Sequence, residues 1–463
     1  MKILYISNGY PPWQWAGTET YTAGLAKGLR AAGHDVQVLC GGHWSRGERY
    51  WNGVVDEVVD DVPVRRINLN WTKAPDPARY LYDDPESAAF LRGYLAEVQP
   101  DVVHVTSCER LSAGVLPVVK EAGLPLVLSL TDFWFLCPRM SLHRSDGANC
   151  DGQTSAWDCL ECTLRHSRVY RWADRVLPDQ AKRHSLLAIS RRPEWTRLRG
   201  LRGMAADMTA RKSFLHWALT LPDRRLTASR FVRDRFVANG VDAPIDLHPY
   251  GHDLSWLKEP AANTETAEFR IGYIGQMIPI KGVHLLLQAV ARLTTGGCAP
   301  IRVKLYGDPN KLPTYGEQLA DLASALPHVE FCGTYPREAG AAIFDELDVL
   351  VVPSLWYDFP LVIHEAFATK TPVIASRLGG MAESVQDGVN GLLFTPGDVD
   401  DLARQLARLV ADRTLWRRLR ANIGPVKSVA TEVRELVSMY EELLSPRAAL
   451  SPPAYCNYAK KGI

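Results

Sequence analysis

A short β-branched run followed by an amphipathic helical stretch recurs along this chain, and the whole pattern restarts once, near residue 268. In the first half the expected strands are 3–7, 35–40, 64–68, 102–106 and 124–130. Each is a nearly continuous apolar run, which is how a strand covered on both faces of a parallel sheet reads. Helices are expected over 20–32, ending at Gly33, and over 86–98, ending before Pro100. The second half repeats the alternation with strands at 269–274, 301–306, 329–331, 349–352 and 372–375, and helices at 282–293, 337–347 and 361–369. Two such arrays predict two doubly wound α/β domains.

The expected boundaries are a first domain over 1–258, a second over 268–427, a helix over 428–445 that crosses back to the first domain, and a tail over 446–463. The Pro/Ala/Thr/Glu-rich stretch 259–267 reads as the linker. One block breaks the alternation: about 137–225 lacks a strand signal and carries four cysteines and an Arg/Trp-rich helical region. Insertions of that length in a compact domain are usually functional.

With 463 residues the chain is long enough for two hydrophobic cores. A net charge of +1 argues against a simple polyanion binder, and no motif supports nucleic-acid binding. The first apolar run is too short for a signal peptide and no stretch approaches the ~20 apolar residues of a membrane span. The expectation is a soluble, cytoplasmic protein, where clustered cysteines read as metal or redox chemistry before disulfides.

The most informative segment runs Pro353-Ser354-Leu355-Trp356-Tyr357-Asp358-Phe359-Pro360-Leu361-Val362-Ile363-His364-Glu365-Ala366. It follows a buried strand and opens a helix, with Pro360 expected at the first helical position. Free N–H groups at such a helix start, beside the C-terminal edge of a sheet, make a phosphate site. Glu365, one turn in, is placed to accept hydrogen bonds from two adjacent hydroxyls such as a ribose diol. Taken alone, the pair has a plainer reading in which Asp358 caps the helix and Glu365 is a solvated charge.

Other segments accompany it in order: Gly275-Gln276-Met277-Ile278-Pro279-Ile280-Lys281-Gly282, Ser376-Arg377-Leu378-Gly379-Gly380-Met381-Ala382-Glu383, Asp387-Gly388-Val389-Asn390-Gly391-Leu392-Leu393-Phe394 and, near the N-terminus, Gly17-Thr18-Glu19. Together these resemble glycosyltransferase family 4, retaining enzymes of the GT-B fold, over most of 1–136 and 226–445. The resemblance implies two Rossmann-like domains facing a central cleft, with the helical, cysteine-rich insertion in the first. It implies a hexosyltransferase-type enzyme (EC 2.4) that takes a UDP- or GDP-sugar donor and a glycan, lipid-linked or other glycoconjugate acceptor, with no catalytic cofactor. The donor would lie on Gly17, Thr18, Gly275, Gln276, Lys281, Asp358, Phe359, Leu361, Val362 and Glu365. Asp132, His104, Lys281 and Glu365 are the catalytic candidates, Asp132 as the grip on a donor-sugar hydroxyl. For His104 a core role is the equal alternative.

The chain departs from the family pattern in three places. Asp358 and Glu365 are separated by six residues where seven is usual, Gln276 stands where an arginine usually partners the lysine, and Thr131 precedes Asp132 where a histidine is common. Two rival readings stay open: a GT-B epimerase acting on the nucleotide sugar alone, and a catalytically silent sugar-binding relative.

Cys137, Cys150, Cys159 and Cys162 are spaced C-x12-C-x8-C-x2-C, a pattern compatible with a structural zinc, an iron–sulfur cluster, free thiols or a disulfide. Residues 165–212 hold 13 Lys/Arg against 4 Asp/Glu, with Trp172 and Trp195 interleaved. Such a stretch either lies peripherally on an anionic membrane surface, here the inner face, or packs its aromatics on the first domain.

Overall fold

The computed structural model describes residues 1–165, 167–190, 205–257, 265–295, 297, 300–356 and 359–445. The first sheet contains β1 (Lys2–Ser7), β2 (Asp35–Gly41), β3 (Trp51–Val59), β4 (Val62–Leu69), β5 (Val102–Val105), β6 (Leu126–Ser129), β7 (Arg224–Thr227) and β8 (Asp246–Leu247). Their spatial order is β3-β4-β2-β1-β5-β6-β7-β8, parallel except for β3, which runs antiparallel to β4. The second sheet contains β9 (Phe269–Ile274), β10 (Ile301–Tyr306), β11 (Val329–Gly333), β12 (Val349–Val352), β13 (Val373–Ser376) and β14 (Gly391–Phe394). Its order, β11-β10-β9-β12-β13-β14, is parallel throughout.

Both sheets carry helices on their faces, as a parallel sheet requires. Strands such as β5, β6, β12 and β13 are buried at every position, which is why their sequences are apolar except for His104, Ser129 and Ser376. Leu4, Ile6, Val103, Val105, Leu126 and Leu128 face one core of the first domain, while Ile3, Tyr5, Val102 and Val127 face the other. The second domain is built the same way.

The helix Val429–Leu444 completes the first domain. Its Val433, Leu436 and Tyr440 are buried against Tyr5, Tyr21, Leu25 and Leu29. Tyr440 stands 3.0 Å from the Tyr5 hydroxyl, and Tyr21 donates to Glu432 at 2.8 Å. The chain passes between the domains a second time where the Val429 N–H donates to His252 O at 3.0 Å and the His252 N–H donates to Lys427 O at 2.9 Å.

The insertion folds as the helices Ala156–Leu164, Arg168–Val176, Asp179–Ser190 and Ala205–Ala218, preceded by an irregular stretch with one bridge, His143 to Asn149. Among the described residues its own core consists of Leu160, Leu164, Tyr170 and Met208. Residues 446–463, and most of the expected linker, lie outside the described residues. Among the described residues no helix is long and apolar enough to cross a membrane.

Candidate active site between the two sheets

In each sheet the strand order reverses beside the first strand, between β1 and β5 and between β9 and β12. Loops leaving the C-terminal ends of such strands diverge and open a crevice. In the second domain those loops are 275–282 and 353–360, which hold the basic turn and the acidic segment. They are locked together: the Leu355 N–H donates to Ile280 O at 2.8 Å and Ser354 Oγ to the same oxygen at 3.3 Å. Gly282 has φ +71°, and a Cβ there would lie 2.0 Å from Pro353 O, so only glycine permits this approach.

Lys281 ends the 3₁₀ turn Pro279–Lys281. Its Nζ lies 5.3 Å from the centre of the Trp356 ring, and burial pushes its ammonium down to about 8. The backbone of Gly275 and Gln276 is pinned beside it. Gly275 N–H donates to Tyr306 O at 3.0 Å, and the Tyr273 hydroxyl donates to Gln276 O at 2.8 Å.

The helix Leu361–Ala368 starts one residue later than the sequence suggests for Pro360, which is its extended N-cap (φ −72°, ψ 118°) rather than its first helical residue. A proline suits either place, since neither needs its missing N–H. The N–H groups of Leu361 and Val362, in the first turn, have no intrahelical acceptor and are available to an anion. Glu365 is part-buried rather than a solvated surface charge. Burial raises its carboxyl, and the nearby Arg337 guanidinium opposes that rise. Asp358 lies outside the described residues.

Phe359 stacks on His364 at 5.2 Å and meets Tyr250 edge-on at 5.5 Å. His364 stacks on His252 at 4.4 Å, and Tyr250 on Tyr21 at 4.1 Å. These rings run continuously from the helix Gly17–Ala31 of the first domain to Leu361–Ala368 of the second. The series is invisible in the sequence, because its members come from three separate segments.

Across the crevice, Gly17 and Thr18 are the first two residues of the helix Gly17–Ala31. Thr18 Oγ1 donates to Thr131 Oγ1 at 3.1 Å, and Thr131 Oγ1 donates to Thr106 O at 3.1 Å. Thr131 thus joins the ends of β5 and β6 to this helix start. Next to it, Asp132 accepts the Trp134 N–H at 2.8 Å. Burial, with smaller contributions from the carboxylates of Glu109 and Glu19, pushes the Asp132 carboxyl up to about 7. Asn8 bridges those two carboxylates, donating to Glu19 at 3.0 Å and Glu109 at 3.2 Å. Glu109 was not singled out from the sequence, although it follows the buried strand β5 by only a few residues. Glu19 Oε2 is buried without a partner among the described residues.

His104 does not belong to this group. It is fully buried in β5, with Nδ1 2.6 Å from the Tyr440 hydroxyl and Nε2 2.8 Å from Ser129 Oγ. Burial holds its imidazole neutral, pushed down to about 3. It is the core histidine of the two alternatives, because both ring nitrogens are spent on joining three elements of the first domain.

The four cysteines of the insertion line one pocket, and all are free thiols. Among the described residues, no three His, Cys, Asp or Glu side chains stand together in a metal-ligating arrangement. In the basic stretch Trp172 is 65% exposed, whereas Trp195 lies outside the described residues.

Two Rossmann-like domains, with a basic turn and a helix start opposed to an acidic group across a shared crevice, define the GT-B class. Residues 16–187 match the family described as glycosyl transferase 4-like domain, and residues 268–412 match glycosyl transferases group 1. The chain belongs to this glycosyltransferase family. It is 37% identical over 147 residues to a D-inositol 3-phosphate glycosyltransferase of Corynebacterium urealyticum, a match covering 31% of this chain and 35% of that protein. The first curated relatives are matched over 35%, 56% and 40% of their length. The fold is similar to that of sucrose-phosphate synthase from Thermosynechococcus elongatus (TM-score 0.62, 20% identity, covering 96% of this chain and 98% of that one). It is also similar to Anabaena HepE in complex with UDP and glucose (TM-score 0.61, 18% identity, covering 96% and 100%).

Proposed function

We propose that this chain transfers a hexosyl group from a nucleotide-diphosphate sugar, of the UDP or GDP type, to a hydroxyl of a glycan or lipid-linked acceptor with retention of configuration. The observation that carries this reading is the meeting of Lys281, the N-terminus of Leu361–Ala368 and Glu365 at the switch point of the second sheet. A diphosphate fits between Lys281 and the N–H groups of Leu361 and Val362, and a ribose diol fits Glu365. The Corynebacterium urealyticum relative is a D-inositol 3-phosphate glycosyltransferase, and a solved neighbour holds UDP and glucose, which agrees with a nucleotide-sugar donor.

The chemistry follows from charge. The bond from the sugar C1 to the diphosphate oxygen breaks, and the acceptor oxygen bonds to C1 on the same face. The acceptor proton passes to the departing phosphate oxygen. Lys281 and the helix N–H groups stabilise the charge on the leaving diphosphate, and they are in place before the reaction begins. Asp132, when ionised, accepts a hydroxyl of the donor sugar and fixes its orientation. This scheme uses no catalytic metal. Retention rests on the family, whose members are retaining. A carbohydrate acceptor is supported by the loop after β1, where Trp15 is 64% exposed and offers an aromatic face. A lipid-linked one is supported by the exposed Trp172 on the same helix as Arg171 and Arg175, which suit an anionic membrane surface.

The test is nucleotide release from a panel of UDP-, GDP- and ADP-sugars, with and without pooled glycan and polyprenyl-linked acceptors. Acceptor-dependent release with an α-to-α or β-to-β product by NMR is expected. Isomerised donor formed without acceptor establishes the epimerase reading instead. Tight nucleotide-sugar binding with no release in any pool establishes the silent relative.

A further inference from the structure

The stretch 137–155 has almost no regular structure; it packs Leu142, Met140, Cys137 and Cys150 against the first-domain core and touches the donor side of the cleft. Trp356 donates its indole N–H to Ser141 O, and Asn149 Nδ2 donates to Leu355 O at 3.1 Å.

Its four thiols share one surrounding pattern. Cys137 accepts the N–H groups of Arg139 and Leu142. Cys150 Sγ accepts the Gly152 N–H at 3.4 Å, and Cys162 Sγ the Ser145 N–H at 3.4 Å. Thr154 Oγ1 stands 3.1 Å from Cys159 Sγ. In Cys137-x-Arg139 and Cys150-x-Gly152 the N–H two residues on turns back to the sulfur, and Gly152 reaches this with φ +84°. A side chain there would meet Asn239, 2.7 Å from the added Cβ. Cys159 and Cys162, three apart on the helix Ala156–Leu164, share a face, and the Ser155/Asp158 capping box fixes where that helix begins. Four sulfurs, each with a local polar partner, line one pocket.

We propose that Cys137, Cys150, Cys159 and Cys162 bind one thiophilic divalent cation of the zinc class, and that the filled site braces the 141–149 loop against Leu355 and Trp356. The sulfurs ring the pocket without meeting in ligating geometry. Binding requires the side chains to rotate inward to the Zn–S distance of about 2.3 Å. The clamp reaches the donor site through the Trp356 ring beside Lys281, and that second half of the proposal rests on the function proposed above.

The test uses the full chain purified under reducing conditions from zinc-supplemented medium. One zinc per chain by elemental analysis is expected, with no acid-labile sulfide. The cobalt-substituted chain is expected to show the ligand-field and sulfur-to-cobalt charge-transfer bands of a tetrahedral tetrathiolate. Cys150→Ser and Cys162→Ser should lose the metal, and Cys332→Ser, far from the pocket, should keep it. If the serine variants do not fold, zinc release from the wild-type chain by a thiol-blocking reagent decides the point. Four freely reactive thiols without metal, a disulfide, iron with sulfide, or full zinc retention in both serine variants overturns the proposal. Chelation should weaken UDP binding several-fold. Unchanged UDP binding after zinc removal overturns the clamp. A chain that holds zinc but binds no nucleotide refutes the proposed function and leaves the metal site standing.

Discussion

Glu383, on the helix Gly379–Ser384 of the second domain, accepts the backbone N–H of Arg230 at 2.9 Å. Its other oxygen takes the N–H of Phe231, so one carboxylate caps the helix Arg230–Ala238 of the first domain. An acidic group at a helix N-terminus stabilises by about 0.5–2 kcal/mol, and here that energy acts between domains. Glu383→Ala should open the cleft, seen as a larger radius of gyration in solution scattering, and lower kcat/KM by roughly 3- to 30-fold. Glu383→Gln, which keeps an acceptor oxygen, should recover part of the loss. Unchanged scattering and kinetics in the alanine variant would show that the latch does not govern closure.

Lys281→Ala removes the charged contact to the leaving diphosphate. Loss of one preorganised donor costs on the order of 10²–10³ in turnover, and the same loss is expected here with folding intact by circular dichroism. Activity within a few-fold of wild type would remove Lys281 from the mechanism.

Lys281 and Asp132 also set a pH profile. Lys281 is charged below about 8 and loses its charge as pH rises, so kcat/KM should fall on the alkaline side. Asp132 is ionised above about 7 and becomes protonated as pH falls, so kcat/KM should fall on the acid side as well. The expected profile is a narrow bell between those limbs, reporting the free enzyme. Asp132→Asn should erase the acid limb, and an unaltered limb in that variant would assign it to another group.

Glu365→Gln should weaken UDP or GDP binding by roughly 10- to 100-fold, the range for a charged hydrogen-bond acceptor. Titration calorimetry measures it directly. The same affinity in wild type and variant would place the ribose elsewhere.

For His104 the expected effect is on stability, not on chemistry. His104→Phe strands the Tyr440 and Ser129 hydroxyls and should cost about 1–3 kcal/mol while leaving kcat close to wild type. Its pH signature is separate. The folded imidazole, pushed down to about 3, stays neutral, whereas an unfolded histidine takes up a proton below about 6.5. Stability is therefore lost as pH falls from about 6.5 towards 3, by up to about 1.4 kcal/mol per pH unit for this residue. The phenylalanine variant should show a shallower acid slope in thermal melts.

Most of the strands legible in the sequence are buried on both faces, and β11 was legible although none of its residues is fully buried. The antiparallel edge strand β3 escaped because most of its residues are exposed or half-exposed, which breaks the apolar run. β7 escaped because it opens with two arginines. Arg225 is nevertheless buried, its guanidinium satisfied by the carbonyls of Thr220 and Pro222 at 2.8 and 2.7 Å. In the site, the loops after β9 and β12 were readable because each is one continuous segment. His104 was not, since a histidine near the end of a strand looks the same in sequence whether it faces the crevice or the helix behind it. Glu19 and Glu109 meet only through Asn8, a contact across about a hundred residues that no local pattern reveals.

Tyr440 follows His104 by 336 residues and supplies one wall of the same core. During synthesis, every strand of the second domain leaves the ribosome before the first domain can close over Tyr5 and His104. The first domain must therefore wait, with an apolar face uncovered, while the second completes itself. An N-terminal fragment cut at the linker should be aggregation-prone, and a peptide spanning 429–444 supplied in trans should restore its solubility.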